Sequence, residues 1–286
     1  MVGEMVLRIW DVEHGACAML HHSIGNYHGR LAMIDSGDTD DWRPSTFIRN
    51  NLSRSRLDYL FITNADQDHM SDLQGLWGAG INVPVWYRNP SLGPDAFRQI
   101  KEQSGRPLTN DAKRYLLNLT NFSGPVAEPF DQNMGGITSS LFWNTYPQFK
   151  TTNDLSLVVF IKYSNFKILF PGDLEKAGWR ALLQRADFRA ELAGTNILVA
   201  SHHGRENGYC EDIFEYFTPN AVVISDKAME HETQETVPDY RAAVRAQGVR
   251  VATTMKDRHV LTTRRDGWIQ FIVDQNNYTI NTEYQG

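Results

Sequence analysis

The chain has 286 residues, of which 41% are hydrophobic and 11% aromatic, so it can bury a large core in one domain or two. Its formal net charge of −6 argues against a protein that coats nucleic acid through a basic surface. With only Cys17 and Cys210, the chain has no disulfide scaffold. No signal-peptide pattern and no apolar run of ~20 residues is present, so we expect a cytoplasmic protein.

The spacing of apolar residues predicts alternating strands and helices along the whole chain. The predicted strands are 5–12, 16–22, 30–34, 57–63, 83–87, 137–143, 157–163, 166–170, 196–200, 221–225, 249–253, 259–263, 268–273 and 278–281. The predicted helices are 42–52, 70–77, 94–103, 109–119, 174–183, 210–217 and 237–247. The segment 121–136, rich in Gly, Pro and Asn, is predicted to be an irregular loop. Because no linker interrupts this pattern, we expect a single α/β domain over residues 1–286.

Potential metal ligands follow four of these strands, at the point where each strand ends. They are Asp35 with Asp38, Asp66 with Asp68 and His69, Asp173, and His202 with His203. Strand ends of one sheet, or of two packed sheets, meet at one edge, and mixed Asp and His ligands suit Zn²⁺, Mn²⁺ or Fe²⁺ rather than Ca²⁺. Taken singly, such acids are also typical of helix caps and turns. The four clusters together favour a metal site.

These motifs resemble those of metallo-β-lactamase-fold hydrolases, and more narrowly those of the soluble hydrolase domain of DNA-internalisation (ComEC-type) competence proteins. The similar segments are 11–15, 34–37, 63–69, 153–157, 171–173 and 201–204, within a resemblance that runs from residue 10 to about 226. The resemblance implies a four-layer αββα metallo-β-lactamase sandwich, with two mixed sheets face to face and helices outside.

The resemblance also implies one intact metal site. Its ligands would be Asp68, His69, Asp173 and one histidine of the pair at 202–203, with His203 favoured. Asp68 would in addition orient the attacking water and accept its proton, and His202 would act beside it as a catalytic proton or phosphate partner.

A second metal site of the family is altered in this chain. Asn64 and Asp66 stand where the family motif has histidines, and Asn153 has no clear third histidine near it. Asp66 remains a candidate ligand, but a site so rich in oxygen prefers a harder ion such as Mn²⁺ or Mg²⁺, or stays empty. We therefore expect one tightly held Zn²⁺ or Mn²⁺ ion and a second site that is weak or absent.

Other polar residues are candidates for contacts outside the metal site itself. The substrate-binding candidates are Asn64, Asn153, Arg205 and His231, although an exposed turn is an equal interpretation of His231. Asp11 and His14 are expected to support the metal ligands from behind.

A metal site of this kind can activate water, and it therefore predicts a hydrolase. The resemblance favours a phosphodiesterase or nuclease-type enzyme. Nucleic acid is a candidate partner, and a membrane is not expected. Two basic segments could contact phosphates, although an ordinary solvated surface is the favoured interpretation. The basic residues are Arg43, Arg49, Arg54 and Arg56 in one segment and Lys256, Arg258, Arg264 and Arg265 in the other.

Two alternatives to a phosphodiesterase remain open. One is a hydrolase of a small phosphoester, nucleotide or thioester, and the other is a non-catalytic binding protein with a degenerate first metal site.

Overall fold

Two sheets packed face to face form the centre of the protein. The computed structural model describes residues 3–103, 105–227 and 235–284. Within these ranges, nine strands form a larger sheet and six form a smaller one. The strands are β1 (Glu4–Ile9), β2 (Ala18–Ile24), β3 (Tyr27–Ile34), β4 (Tyr59–Phe61), β5 (Val85–Tyr87), β6 (Thr138–Trp143), β7 (Leu157–Tyr163), β8 (Phe166–Phe170), β9 (Ile197–Val199), β10 (Ala221–Ile224), β11 (Val249–Val251), β12 (Lys256–Arg258), β13 (Val260–Thr262), β14 (Ile269–Val273) and β15 (Tyr278–Thr282).

Short helices connect many of these strands. In the described part of the chain, no helix is long and apolar enough to cross a membrane. A π-helical turn (Phe47–Asn51) extends the first helix, and 3-10 turns occur at Ser201–Gly204 and Glu211–Glu215. The α-helices are α1 (Pro44–Thr46), α2 (Gln67–Met70), α3 (Leu73–Gly78), α4 (Pro94–Glu102), α5 (Asn110–Asn121), α6 (Phe130–Asn133), α7 (Lys176–Leu183), α8 (Ala186–Leu192), α9 (Val237–Ala243) and α10 (Thr263–Asp266).

Both sheets mix parallel and antiparallel pairs. The larger sheet has the order β12-β11-β15-β14-β1-β2-β3-β4-β5, and the smaller has the order β13-β10-β9-β8-β7-β6. In the larger sheet β3, β4 and β5 run parallel. In the smaller sheet β8, β9, β10 and β13 run parallel. These parallel groups bring several strand ends to one edge of each sheet.

Side-chain alternation divides each central strand between two cores. In β7, Leu157, Val159 and Ile161 point into the core between the sheets, whereas Val158 and Phe160 point outward to the helices. Helices α3, α4 and α5 cover the outer face of the larger sheet, and α7, α8 and α9 cover that of the smaller. Because both faces are buried, these strands appear in the sequence as continuous apolar runs. The predicted four-layer αββα sandwich is confirmed.

The structure differs from the prediction mainly at short elements. The segment predicted as an irregular loop contains α6, whose Phe130 is buried in the core between the sheets. The helix predicted at 210–217 is only the 3-10 turn Glu211–Glu215. Helices α8 and α10 and strand β12 were not predicted. Such short elements carry too little periodicity to detect, and helices of this length are stabilised by packing rather than by propensity.

The fold brings the polar clusters to the common edge of the two sheets. Asp35 follows β3 and His69 lies shortly after β4 in the larger sheet, while Asp173 follows β8 and His203 follows β9 in the smaller one. The Thr63 carbonyl, just after β4, accepts a hydrogen bond of 2.7 Å from the first amide of β7, which ties the sheets together at this edge.

The strand β14 offers a direct test of the inter-sheet core. Phe271 is fully buried between the sheets, whereas its neighbour Ile272 faces outward and is only partly buried. We expect Phe271→Ala to lower the free energy of unfolding by about 3–5 kcal/mol and Ile272→Ala to lower it much less. Urea unfolding of the two variants measures the difference, and equal losses would contradict the assigned faces.

Candidate metal centre

Four ligand-type side chains converge at the edge where the two sheets meet. Asp68, His69, Asp173 and His203 each offer one ligand atom, and these four atoms lie within 4.8 Å of one another. Asp68 and His69 come from α2, Asp173 from the turn after β8, and His203 from the turn after β9. The structure thus brings together four of the five residues predicted as metal ligands.

The separations between these atoms match a shared ion. Nε2 of His69 lies 2.9 Å from Oδ1 of Asp173, and Nε2 of His203 lies 3.5 Å from the same oxygen and 3.1 Å from Oδ2 of Asp68. Ligands bound at about 2.0–2.2 Å around one ion are separated by about 3–3.5 Å. Two imidazoles and two carboxylates suit Zn²⁺, Mn²⁺ or Fe²⁺. The residues present therefore fit a divalent transition metal.

Asp35 orients His69 from behind. Nδ1 of His69 lies 2.9 Å from Oδ2 of Asp35, and Asp35 also accepts hydrogen bonds from the backbone amide and the hydroxyl of Thr63. With its Nδ1–H donated to a carboxylate, the imidazole turns the lone pair of Nε2 toward the other ligands. This arrangement fixes both the tautomer and the direction of the ring.

His203 is oriented by a backbone carbonyl. Its Nδ1 donates to the carbonyl oxygen of Ser225 at 2.9 Å, and its buried Nε2 lies 3.1 Å from Oδ2 of Asp68. His202 and His203 both adopt positive φ angles, 50° and 54°. Consecutive left-handed residues other than glycine are strained, and such strain concentrates at functional sites. The strained turn aims the Nε2 lone pair of His203 at the carboxylates.

Two glycines allow neighbouring loops to approach α2 closely. A Cβ atom at Gly15 or at Gly37 would lie 2.7 Å from the carbonyl oxygen of Asp68, too close for any side chain. The amide of Ala16 donates to this oxygen at 3.2 Å. The close approach anchors the helix that carries Asp68 and His69.

The charges at the centre attract a cation. Burial lowers the pKa of His69 and of His203, but nearby carboxylates, Asp173 foremost, more than offset this and leave both pKa values raised. Burial raises the pKa of Asp68, but His203 and His69 outweigh it and lower that pKa to about 2. Asp173 behaves in the same way, and its pKa is lowered. This negative potential favours a divalent ion.

Asp66, predicted as a fifth ligand, lies outside the group. One of its carboxylate oxygens pairs with the ammonium of Lys101, and the other accepts a hydrogen bond from the hydroxyl of Thr152. Both oxygens of the carboxylate are therefore occupied by the protein. Lys101 belongs to α4, so the sequence around Asp66 gives no sign of this pairing.

Two of the candidate catalytic and substrate-binding residues, His202 and Arg205, lie close to the ligands. Nδ1 of His202 lies 3.8 Å from Oε1 of Glu175. Nη2 of Arg205 lies 3.4 Å from Nε2 of His14, which is 3.6 Å from Oδ2 of Asp68. Burial, followed by the charge of His203, lowers the pKa of His14 to about 4.

The remaining predicted residues occupy different positions. Asn64 and Asn153 are joined by a hydrogen bond of 3.1 Å from Nδ2 to Oδ1. His231 lies outside the described residues. Asp11 is half-buried near Thr263, and burial raises its pKa.

Sequence reasoning missed three supporting features of the site. The sequence places Asp35 among the potential metal ligands, but its separation of 34 residues from His69 conceals that it supports this histidine instead. The carbonyl of Ser225 carries no signal, because any residue supplies a carbonyl. Glu175 follows Asp173 by two residues, and this short separation is the sequence signal that could have identified it.

Comparisons with known proteins give a likeness of overall structure only. No protein-family model matches the sequence, and no curated protein matches it. A protein from Parabacteroides distasonis, provisionally described as a metal-dependent hydrolase, is 12% identical, with a TM-score of 0.44 over 90% of this chain and 93% of that one. CmlA, a diiron β-hydroxylase from Streptomyces venezuelae, is 14% identical, with a TM-score of 0.46 over 84% of this chain. The match spans only 51% of CmlA, and similarity this low carries no argument about chemistry.

The ligand assignment can be tested by substitution. We expect the native protein to hold one divalent ion per chain, and Asp173→Asn to lose more affinity for Mn²⁺ than the ~10–100-fold typical of supporting residues. Asp66→Asn is the matched control and should keep full affinity, because its carboxylate serves Lys101 and Thr152. Elemental analysis and competition with a chelator measure both. Two tightly held ions, or equal losses in the two variants, would contradict the assignment.

The role of Asp35 has its own control nearby. Asp35→Asn should weaken Mn²⁺ binding by ~10–100-fold, because an amide holds the His69 ring less firmly than a carboxylate does. Asp38→Asn should have little effect, since among the described residues its carboxylate pairs with the exposed Arg43, at 3.5 Å. Unchanged affinity in Asp35→Asn would show that His69 needs no such support.

Proposed function

We propose that this protein is a metal-dependent hydrolase of phosphoesters, phosphodiesters included, that uses one tightly held Zn²⁺ or Mn²⁺ ion. The observation that carries the proposal is the graded exposure of the four ligands. The side chains of His69, Asp173 and His203 are 2–4% exposed, whereas that of Asp68 is 23% exposed. The centre is thus closed on the protein side and open at Asp68, where substrate and water can enter.

The chemistry follows from the position of Asp68. A divalent ion held by these four ligands would supply Lewis acidity, which would lower the pKa of water at the opening toward neutrality. Asp68 faces the open side and is ionised at neutral pH, so it can orient an attacking water and accept its proton. The hydrogen bond from Nδ1 of His69 to Asp35 keeps this side of the centre rigid.

Hydrogen-bond donors near the opening favour an anionic substrate. The guanidinium of Arg205 lies next to His14 and so close to Asp68, and its buried Nε has no hydrogen-bond partner within the described residues. An arginine so placed matches the oxygens of a phosphoryl group. A thioester would leave this charge without a partner, so a phosphoester is the better fit.

The two basic segments favour a small substrate over a long polynucleotide. Most of their guanidinium groups already serve contacts within the protein and are less available to phosphates. These contacts within the protein pair Arg43 with Asp38, Arg56 with Asp58, Arg258 with Asp266 and Arg264 with Asp226, and Arg54 donates to the carbonyls of His28 and Gly29.

The finer resemblance to DNA-internalisation domains rests on the sequence motifs alone.

Hydrolysis of bis(p-nitrophenyl) phosphate in the presence of Mn²⁺ or Zn²⁺ tests the proposal. At metal concentrations that saturate each variant, Asp68→Asn should lower kcat by ~10²–10⁴-fold. Asp95→Asn, at a fully exposed position in α4, is the control and should retain activity.

Undiminished activity in Asp68→Asn would contradict the role of this carboxylate. Failure to hydrolyse any phosphodiester or phosphomonoester with metal bound would favour the non-catalytic binding protein instead. Steep inhibition by salt with RNA or DNA, absent with the small ester, would point to a polynucleotide substrate.

A further inference from the structure

A row of polar side chains lies beside the metal centre, and we call it the acceptor flank. Glu175 follows the ligand Asp173 by two residues, and His202, which adjoins the ligand His203, lies 3.8 Å from its Oε1 atom. Through His202, Glu175 therefore lies beside the turn that carries the ligand His203. The members of the acceptor flank are Asn64, Asn153, Glu175 and Asn207.

Glu175 fixes the direction of every hydrogen bond in this row. A carboxylate accepts hydrogen bonds and donates none. Asn153 and Asn207 must therefore each turn Nδ2 toward Oε1 of Glu175, both at 2.9 Å. Asn153 then presents Oδ1 to Asn64, whose Nδ2 donates to it at 3.1 Å. The atom that remains at the end of the row, Oδ1 of Asn64, is an acceptor.

Two acceptors of the row have no donor within the described residues. Asn64 is 1% exposed, and its Oδ1 is buried without a hydrogen-bond partner. Oε2 of Glu175 receives no hydrogen bond, and this side chain is 31% exposed and so open to a ligand. A buried acceptor left unpaired is costly, and a ligand that donates to it removes that cost.

A second metal ion is a poorer occupant of this row than a hydrogen-bond donor. Mg²⁺ and Mn²⁺ require about six oxygen ligands in near-octahedral geometry. The carboxylate of Asp66 is already occupied by Lys101 and Thr152, and Oε1 of Glu175 by two amides. One amide oxygen and one carboxylate oxygen remain as protein ligands, so a cation here would keep most of its water and be held weakly.

We propose that the acceptor flank binds hydroxyl groups of the substrate, so that the preferred substrates are phosphoesters of polyols, such as glycerol or sugar phosphates. This inference rests on the proposed function, in which the metal centre and Arg205 hold the phosphoryl group. The two sides of the opening then differ in chemistry, because Arg205 donates whereas Glu175 and Asn64 accept. A second phosphate would be repelled by the Glu175 carboxylate, whereas a hydroxyl can donate to it.

A matched pair of ligands tests the inference by binding alone. sn-Glycerol 3-phosphate and n-propyl phosphate have the same charge and chain length and differ only in two hydroxyl groups. Calorimetric titration of the Mn²⁺-loaded protein should show that the glycerol ester binds about ten-fold more tightly, as expected for hydroxyls that donate to a carboxylate. In Glu175→Gln and in Asn64→Leu, this preference should fall below about three-fold. Glu206→Gln, at an exposed position in the same loop as Asn207, is the matched control and should retain it.

Equal affinities for the two esters in the native protein would overturn the inference, as would no binding of either. Binding of a second Mn²⁺ that the glycerol ester displaces would also overturn it, since a cation would then be the occupant. Each variant is checked for one bound ion and a cooperative thermal transition, and Glu175→Gln changes a partly exposed side chain that the core does not need. Hydrolysis of bis(p-nitrophenyl) phosphate, which has no hydroxyl group, reports separately on the proposed function.

Discussion

A row of close polar contacts from Asp35 through His69 to Asp173 joins the two sheets at their common edge. Asp35 and His69 belong to the larger sheet and Asp173 to the smaller, and the imidazole lies 2.9 Å from each carboxylate. All three residues are buried. Buried carboxylates are stable only when they are paired with positive charge or with strong hydrogen bonds. The concentration of acid here therefore requires a cation or protonated histidines, and it sets the chemistry of the whole edge.

The surrounding fold holds this charge in place. Parallel strands in each sheet deliver their carboxyl ends to the edge, and glycines at 15 and 37 let loops pack directly against α2. The strained turn at 202–203 directs the imidazole of His203 into the centre and leaves that of His202 beside it. The opening that results has a donor side at Arg205 and an acceptor side at Glu175. An anionic ester with hydroxyl groups matches both sides at once.

The fold was largely predictable from the sequence because buried sheets leave long apolar runs. The metal cluster was visible for a similar reason, since Asp68, His69, Asp173 and the pair at 202–203 all lie within a few residues of a strand end. Contacts between distant segments could not be predicted in the same way. Asp66 has the spacing of a ligand, yet Lys101, 35 residues further along, takes its carboxylate. Asp35 looks like a turn residue until the tertiary structure places it behind His69.

The hydrogen-bond direction of the acceptor flank was equally hidden. Asparagine can donate or accept, so the sequence alone assigns no role to Asn64 or Asn153. Only the contact of Asn153 with Glu175 determines which atoms remain free. In the proposed function, substrate preference thus depends on tertiary contacts beside the metal motifs rather than on the motifs themselves.

The central claim is that one ion is held by four particular atoms. A crystal structure of the Mn²⁺-loaded protein, with anomalous diffraction data, measures this directly. We expect a single anomalous peak at about 2.0–2.3 Å from Oδ2 of Asp68, Nε2 of His69, Oδ1 of Asp173 and Nε2 of His203. A peak bound by Asp66, or a second peak of equal height at Asn64, would contradict the account.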